Sequence, residues 1–115
     1  YKQVGSDSTS WGNYYNNSFT YYTNTSKSTA TKAKNNSTRI PSGAYDGANA
    51  NNVFDLAGNV WDWTCESNGS GTSNGRYNRG GGYYYGGNSP AAYRNDYYPY
   101  KSSSSVGVRC ALYIK

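Results

Sequence analysis

The chain has 115 residues, a net charge of +5 and a pI near 9.2, with eleven Lys and Arg set against six Asp and Glu. That is the length of one domain; the basic residues are scattered, not gathered into the stripe that marks a nucleic-acid footprint, and no apolar run reaches the about eighteen residues of a membrane-spanning helix. With no histidine, Ser–His and Cys–His nucleophile pairs are excluded, and two cysteines cannot complete a tetrahedral zinc site.

Leu, Ile, Val and Phe number only eleven, a fraction that ordinarily signals disorder. Fifteen tyrosines and three tryptophans argue the other way, because aromatic rings bury large areas and can stand in for an aliphatic core. The expectation is a folded domain with a small core and much irregular, hydrogen-bonded loop.

Residues 1–38 are polar and aromatic with no helical period; "NNSFTYYT" predicts one short strand, while Asn and Ser favour turns. "RIPSGAYDGANANN", residues 39–52, reads as a loop punctuated by Pro41, Gly43 and Gly47. In "NVFDLAGNVWDWTCE" the pattern changes. From Val60 onward the side chains alternate, with Trp61, Trp63 and Cys65 on one face and Asp62, Thr64 and Glu66 on the other, which predicts a strand. Trp61 and Trp63 are assigned to the core, and Asn59 after Gly58 to a turn.

"SNGSGTSNG" is a turn region, and "RYNRGGGYYY" predicts a second strand broken at Gly80–Gly82, where a bulge or the close approach of another backbone is expected. Turn signals and more tyrosine fill residues 86–105. "SVGVRCALYIK" predicts a third strand, with Val108, Cys110, Leu112 and Ile114 on one face. Cys65 and Cys110 therefore read as small core residues with free thiols. The competing reading is a disulfide, which over such a span would add roughly 4 kcal/mol.

Four pieces, "NVFDLAGNVWDWT", "NRGGGYYY", "YRNDYYP" and "VGVRCALYI", resemble in order and spacing the formylglycine-generating enzyme, or sulfatase-modifying factor, family. The resemblance covers about residues 40–115, and "SWGNYYNNS" is similar to the segment that precedes it in phage-borne members. It implies an α+β, C-type-lectin-like fold: a small twisted antiparallel sheet with long irregular loops and little helix. Residues 1–115 are then one domain, read as the C-terminal part of a longer one, since the family's helical N-terminal portion has no counterpart.

The family's enzymes use a close pair of copper-binding cysteines between the RGG strand and the last strand. The interval "GYYYGGNSPAAYRNDYYPYKSSSSV" contains no cysteine, so neither that catalysis nor copper is expected. Closer in character are retroelement-diversified proteins, which reuse this fold for ligand binding and vary that interval with Asn, Tyr, Ser, Asp and Gly. Tyrosine offers a stiff amphipathic contact surface, and Ser, Gly and Asn offer adaptable hydrogen bonds.

The expected variable region is 82–105. The binding face within it is assigned to Tyr83, Tyr85, Asn88, Tyr93, Asn95, Asp96, Tyr97, Tyr98, Tyr100 and Lys101, with inward recruitment of the tyrosines as the competing reading. The resemblance also implies a structural calcium at Asp55, Gly58, Val60 and Asp62, two by side chain and two by carbonyl. Against it stands a plainer reading, in which Asp55 caps a turn and Asp62 pairs with an arginine. Arg79, Arg94 and Arg109 are expected to tie loop carbonyls together internally, with a grip on an anionic ligand as the alternative.

The function implied is recognition of a protein or glycan on a cell surface. Such a domain would sit on a virion, a cell surface or outside the cell, without binding nucleic acid or inserting into a membrane, and would assemble as a homo-oligomer or through a missing N-terminal part. The alternatives are a formylglycine-generating oxidase and a structural subunit of a filament.

Overall fold

A computed structural model of the chain describes residues 6–24, 26–34, 38–50, 53–69 and 74–110. Among these there is no α-helix; two single 3-10 turns, Thr9–Trp11 and Asp46–Ala48, are the only helical pieces. The strands are β1 (Ser18–Tyr22), β2 (Ala30–Lys34), β3 (Asn49–Ala50), β4 (Val53–Phe54), β5 (Trp61–Ser67), β6 (Arg76–Arg79), β7 (Asn95–Tyr97) and β8 (Val106–Gly107). They form two hairpins, β1–β2 and β3–β4, and one four-stranded sheet in the order β7-β6-β5-β8. The sheet is antiparallel except where β8 lies parallel to the start of β5.

β5 forms where alternation predicts it. Trp61 is 1% exposed and Trp63 half-buried. The burial fades along the strand, and Cys65 at its outer half is exposed, not in the core. Beyond Asp62, β8 no longer pairs with β5, which keeps only β6 as a ladder neighbour among the described residues. The predicted third strand is correspondingly short. It ends at Gly107; Val108 is 76% exposed and Cys110 is exposed, so the apolar face expected there does not form at these two positions. Leu112 and Ile114 lie outside the described residues. Both cysteines are free thiols.

The core is small and divided. One cluster joins Phe19, Ile40 and Ala44 with Tyr21 and Tyr45 at its edge; another joins Trp11, Tyr14 and Ala57 with Leu56 and Ala91. Between these clusters, hydrogen bonds from buried polar side chains do the work that ladders do elsewhere. Asn59, 6% exposed, accepts at Oδ1 from the Ile40 amide (3.0 Å) and from Asn13 Nδ2 (3.1 Å), and donates from Nδ2 to the Ile40 carbonyl (3.1 Å). Its side chain thus pairs with a loop backbone as a neighbouring strand would. Asn13 Nδ2 also donates to the Thr38 carbonyl at 3.0 Å.

The turn expected at Gly58–Asn59 has both residues in the left-handed region, at φ 70° and 65°. Gly58 is required for space as well, since a Cβ there would sit 2.6 Å from the Asn13 carbonyl oxygen. The backbone approach expected at Gly80–Gly82 is made by the Ser89 carbonyl oxygen, 2.7 Å from where a Cβ on Gly81 would sit, and the side chain of Tyr14 crowds the same glycines. Its wholly buried hydroxyl donates to the Gly80 carbonyl at 2.9 Å, and a Cβ on Gly81 would meet its ring at 2.7 Å. Burial pushes the Tyr14 phenol well above the ordinary range.

Candidate ligand-binding face

The sheet has two chemically different faces. Along β5, Asp62, Thr64 and Glu66 point one way and Trp61 and Trp63 the other. The acidic face carries the arginines. Arg79 lies opposite Asp62 in the ladder and reaches Glu66 with both Nε (3.1 Å) and Nη2 (2.9 Å), while its Nη1 donates to the Ala92 carbonyl at 2.7 Å. Arg94 touches the same carboxylate at 3.5 Å and lies 4.1 Å over the Tyr77 ring. Hydrogen bonding from Arg79 holds Glu66 below the usual carboxylate range. In these positions the guanidinium forks tie the 91–94 turn to the sheet.

Arg109 does the same at the other end. Nε donates to Asp62 Oδ2 at 3.0 Å and Nη2 to the Asp55 carbonyl at 2.9 Å. Burial outweighs that guanidinium and lifts the Asp62 carboxyl above its ordinary value. Asp55 is 6% exposed; its Oδ2 accepts from Ser42 Oγ (2.9 Å) and the Gly43 amide (3.0 Å), capping that turn, and its Oδ1 has no partner among the described residues. Of the oxygens expected for calcium, the Asp55 carboxylate, the Gly58 and Val60 carbonyls and the Asp62 carboxylate, one carboxylate is held by a guanidinium and the other caps a turn. No group of three or more acidic, Cys or His side chains gathers among the described residues. A fixed positive charge, the Arg109 guanidinium, lies against Asp62, while Asp55 keeps one carboxylate oxygen without a partner among the described residues.

Tyrosines of the 82–105 segment gather around the two tryptophans. Trp61 anchors a first group: Tyr85 meets it edge-on at 5.3 Å and Tyr93 lies 6.1 Å away, with Tyr84 against Tyr85 at 4.7 Å and Tyr83 against Tyr84 at 5.0 Å. Trp63 anchors a second group through Tyr97 at 6.4 Å; Tyr98 and Tyr100 follow, stacked on one another at 5.4 Å, with Lys101 Nζ 5.2 Å over Tyr98.

Within these groups the inner rings brace the outer ones. Tyr83, Tyr85, Asn95 and Tyr97 are half-buried. Tyr93 is 48% exposed, Tyr98 42% and Tyr100 70%, and Asn88, Asp96 and Lys101 are exposed too. Asp96 accepts a hydrogen bond from Asn68 Nδ2 at 3.2 Å. Burial, and then the neighbouring Tyr84, raise the Tyr85 phenol.

The backbone beneath these rings is tied down at several points. The Tyr83 amide donates to the Asn59 carbonyl (2.9 Å), the Tyr15 amide to the Tyr85 carbonyl (3.0 Å), and the Ser8 amide to the Gly87 carbonyl (2.9 Å). Sequence reasoning left out Tyr84 and Tyr15, 48% and 50% exposed. Tyr84 sits in the tyrosine run and was legible there; Tyr15 reaches the face only through a bond that crosses seventy residues of chain.

Two clefts flank the face. One, of about 670 Å³, lies between the 38–41 loop and the Asn59, Val60, Tyr83 and Ser104 side. The other, of about 440 Å³, is lined by Trp63, Thr64, Arg76 and Pro99.

No curated protein and no solved structure matches the chain. The family model of the sulfatase-modifying factor enzyme 1-like domain does, over residues 2–114, which extends the resemblance seen at residues 40–115 across nearly the whole chain. Together with the nearly helix-free, curled small sheets and the tryptophan-and-arginine frame, this match places the chain in the sulfatase-modifying factor family, with its C-type-lectin-like fold.

Proposed function

We propose that this domain is a non-catalytic recognition module, a display surface of the kind carried by retroelement-diversified proteins, whose 82–105 segment binds a protein or glycan on a cell surface. The observation that carries this reading is a contrast. Tyr84, Tyr93, Tyr98 and Tyr100 are 42–70% exposed, while the backbone near them is tied down: the turn bearing Tyr84 by bonds to residues 8, 15 and 59, the turn before Tyr93 by the Gly80 amide on the Ala91 carbonyl, and the chain just before Tyr98 by the pairing of β7 with β6. Exposed aromatic rings on a braced backbone bind with little ordering entropy, which is what a recognition surface needs. The frame that does the bracing, Trp61 with Arg79, Arg94 and Arg109, leaves the outer rings 42–70% exposed.

The reaction of the family's oxidases has no place in this reading, because the interval between the RGG strand and β8 supplies no cysteine to hold copper. Nor is calcium required, since Arg109 carries the positive charge at Asp62. The domain would act at a virion or cell surface.

The test is binding of the labelled chain to a panel of bacterial cells and to a glycan array, beside a variant with Tyr84, Tyr93, Tyr98 and Tyr100 all changed to Ser. The variant should keep the wild-type circular dichroism and melting temperature within a few degrees and lose binding. Loss of folding instead would show that the rings are core. Copper-dependent oxidation of a sulfatase peptide cysteine by the wild-type chain would overturn the non-catalytic reading.

A further inference from the structure

The 440 Å³ cleft beside the tyrosine face has a specific origin and a specific charge. β5 and β6 keep register at Trp63↔Asn78 and regain it at Ser67↔Arg76, so four residues of β5 span two of β6. This bulge is held open by Thr64, whose Oγ1 donates to the Tyr77 carbonyl at 3.0 Å and accepts from the Glu66 amide at 3.2 Å. Bulges re-aim side chains and are enriched beside binding sites. Here the bulge leaves Trp63 and Arg76 on the walls of one cleft, with Pro99 facing them. Tyr97, opposite Arg76 in the β6–β7 ladder, backs the indole.

The charge follows from the ion pairs. All six acidic side chains lie among the described residues; Lys27 takes Asp46, Arg79 and Arg94 share Glu66, and Arg109 takes Asp62. Among the described residues Arg76 forms no ion pair and donates from Nη1 to Ser67 Oγ, while the nearby Asp96 carboxylate accepts from Asn68. It presents a planar cation whose remaining donors match a carboxylate bidentately. Directly across the ladder from Trp63, the Asn78 amide is wholly buried, with neither polar atom partnered among the described residues.

We infer that the Trp63–Arg76–Pro99 cleft is a subsite for an acidic sugar, a pyranose ring lying against the indole with its carboxylate on Arg76. The inference rests on the recognition reading above and names its ligand class. A cleft of this volume falls in the range of about 300–1,000 Å³ typical of small-ligand sites. An indole wall suits the CH face of a sugar ring, and the unneutralised guanidinium selects a charged sugar over a neutral one. A chain of net charge +5 favours the same choice.

Titration with oligogalacturonate, read by tryptophan fluorescence, tests this. Trp11 and Trp61 are buried, so the signal reports mainly on Trp63. Expected is saturable quenching by the acidic oligomer, no response to a neutral galactan oligomer of equal length, and at least a tenfold weakening in Arg76→Gln. Arg76→Lys, which keeps the charge and loses the fork, should fall between, and it serves if the glutamine variant folds poorly.

Equal binding of the neutral oligomer, no effect of Arg76→Gln, or no binding of either sugar overturns the subsite. So does a response to polyglutamate without a response to oligogalacturonate. If cells still bind through the four tyrosines while the sugar does not, the subsite alone fails. If the sugar binds but the tyrosine variant keeps its cell binding, the display reading fails and the subsite stands.

Discussion

Asn59 is the residue on which the fold is most exposed to a single change. It sits in the left-handed region at φ 65°, 6% exposed, and three hydrogen bonds of 3.0–3.1 Å leave its amide. In Asn59→Ala the Ile40 amide and carbonyl lose their side-chain partner in a buried setting, at roughly 1–3 kcal/mol for each group left unsatisfied. Alanine in the left-handed region adds about 1 kcal/mol. The sum, roughly 3–7 kcal/mol, is a large part of the about 5–15 kcal/mol by which a domain is stable. With a urea dependence of about 2 kcal/mol per molar, the unfolding midpoint should fall by roughly 1.5–3.5 M. Asn59→Gly separates the terms: it relieves the backbone strain without restoring any bond, so it should recover about 1 kcal/mol and no more. A loss below about 1 kcal/mol in Asn59→Ala, or full recovery in Asn59→Gly, would refute the clasp as an energetic element.

Two further outcomes follow from the acidic face. Glu66, held below its ordinary value of 4.5 by Arg79, contributes stability that is present above that value and is lost as pH falls through its lowered folded value, so urea midpoints of the wild type and Glu66→Gln should differ at neutral pH and converge in acid. Asp62, raised above 3.8 by burial, has the opposite sign: its contribution is present below 3.8 and lost as pH rises through the folded value, so Asp62→Asn should remove a decline that the wild type shows over that window. Because Arg109 supplies the charge at Asp62, chelator or millimolar calcium should leave the melting temperature of the wild type unchanged; Arg109→Gln, which frees the Asp55 carbonyl and Asp62, should lower it and make it calcium-responsive.

Much of the frame was legible because its signals are local. Alternation from Val60 locates β5, since a strand's period is a property of neighbouring residues. The glycine triplet announces a close approach of backbone, and the approach is there: a Cβ on Gly81 would lie 2.7 Å from the Ser89 carbonyl oxygen. The plainer reading of Asp55 and Asp62, a turn cap and an arginine partner, was available from residue types alone and matches the geometry. Less accessible was where each apolar stripe would find cover. Alternation put Cys65 with the tryptophans and Cys110 with Val108, yet all three of Cys65, Cys110 and Val108 are exposed. A strand face is buried only if another element lies over it, and alternation along the chain does not say whether one does.

The amino-acid sequence by itself determined that aromatic rings would replace aliphatic ones, that a strand would run through the tryptophan pair, and that the interval from 82 to 105 would carry no catalytic cysteine. Those are matters of composition and short-range period. Only the tertiary structure decided which tyrosines brace and which project, that Asn59 would clasp a loop nineteen residues away, and that a bulge would leave Arg76 and Trp63 on the walls of one cleft. Each of these depends on which distant backbone arrives next to a side chain, and in a chain this rich in Asn, Ser and Tyr many partners are chemically equivalent until the fold selects among them.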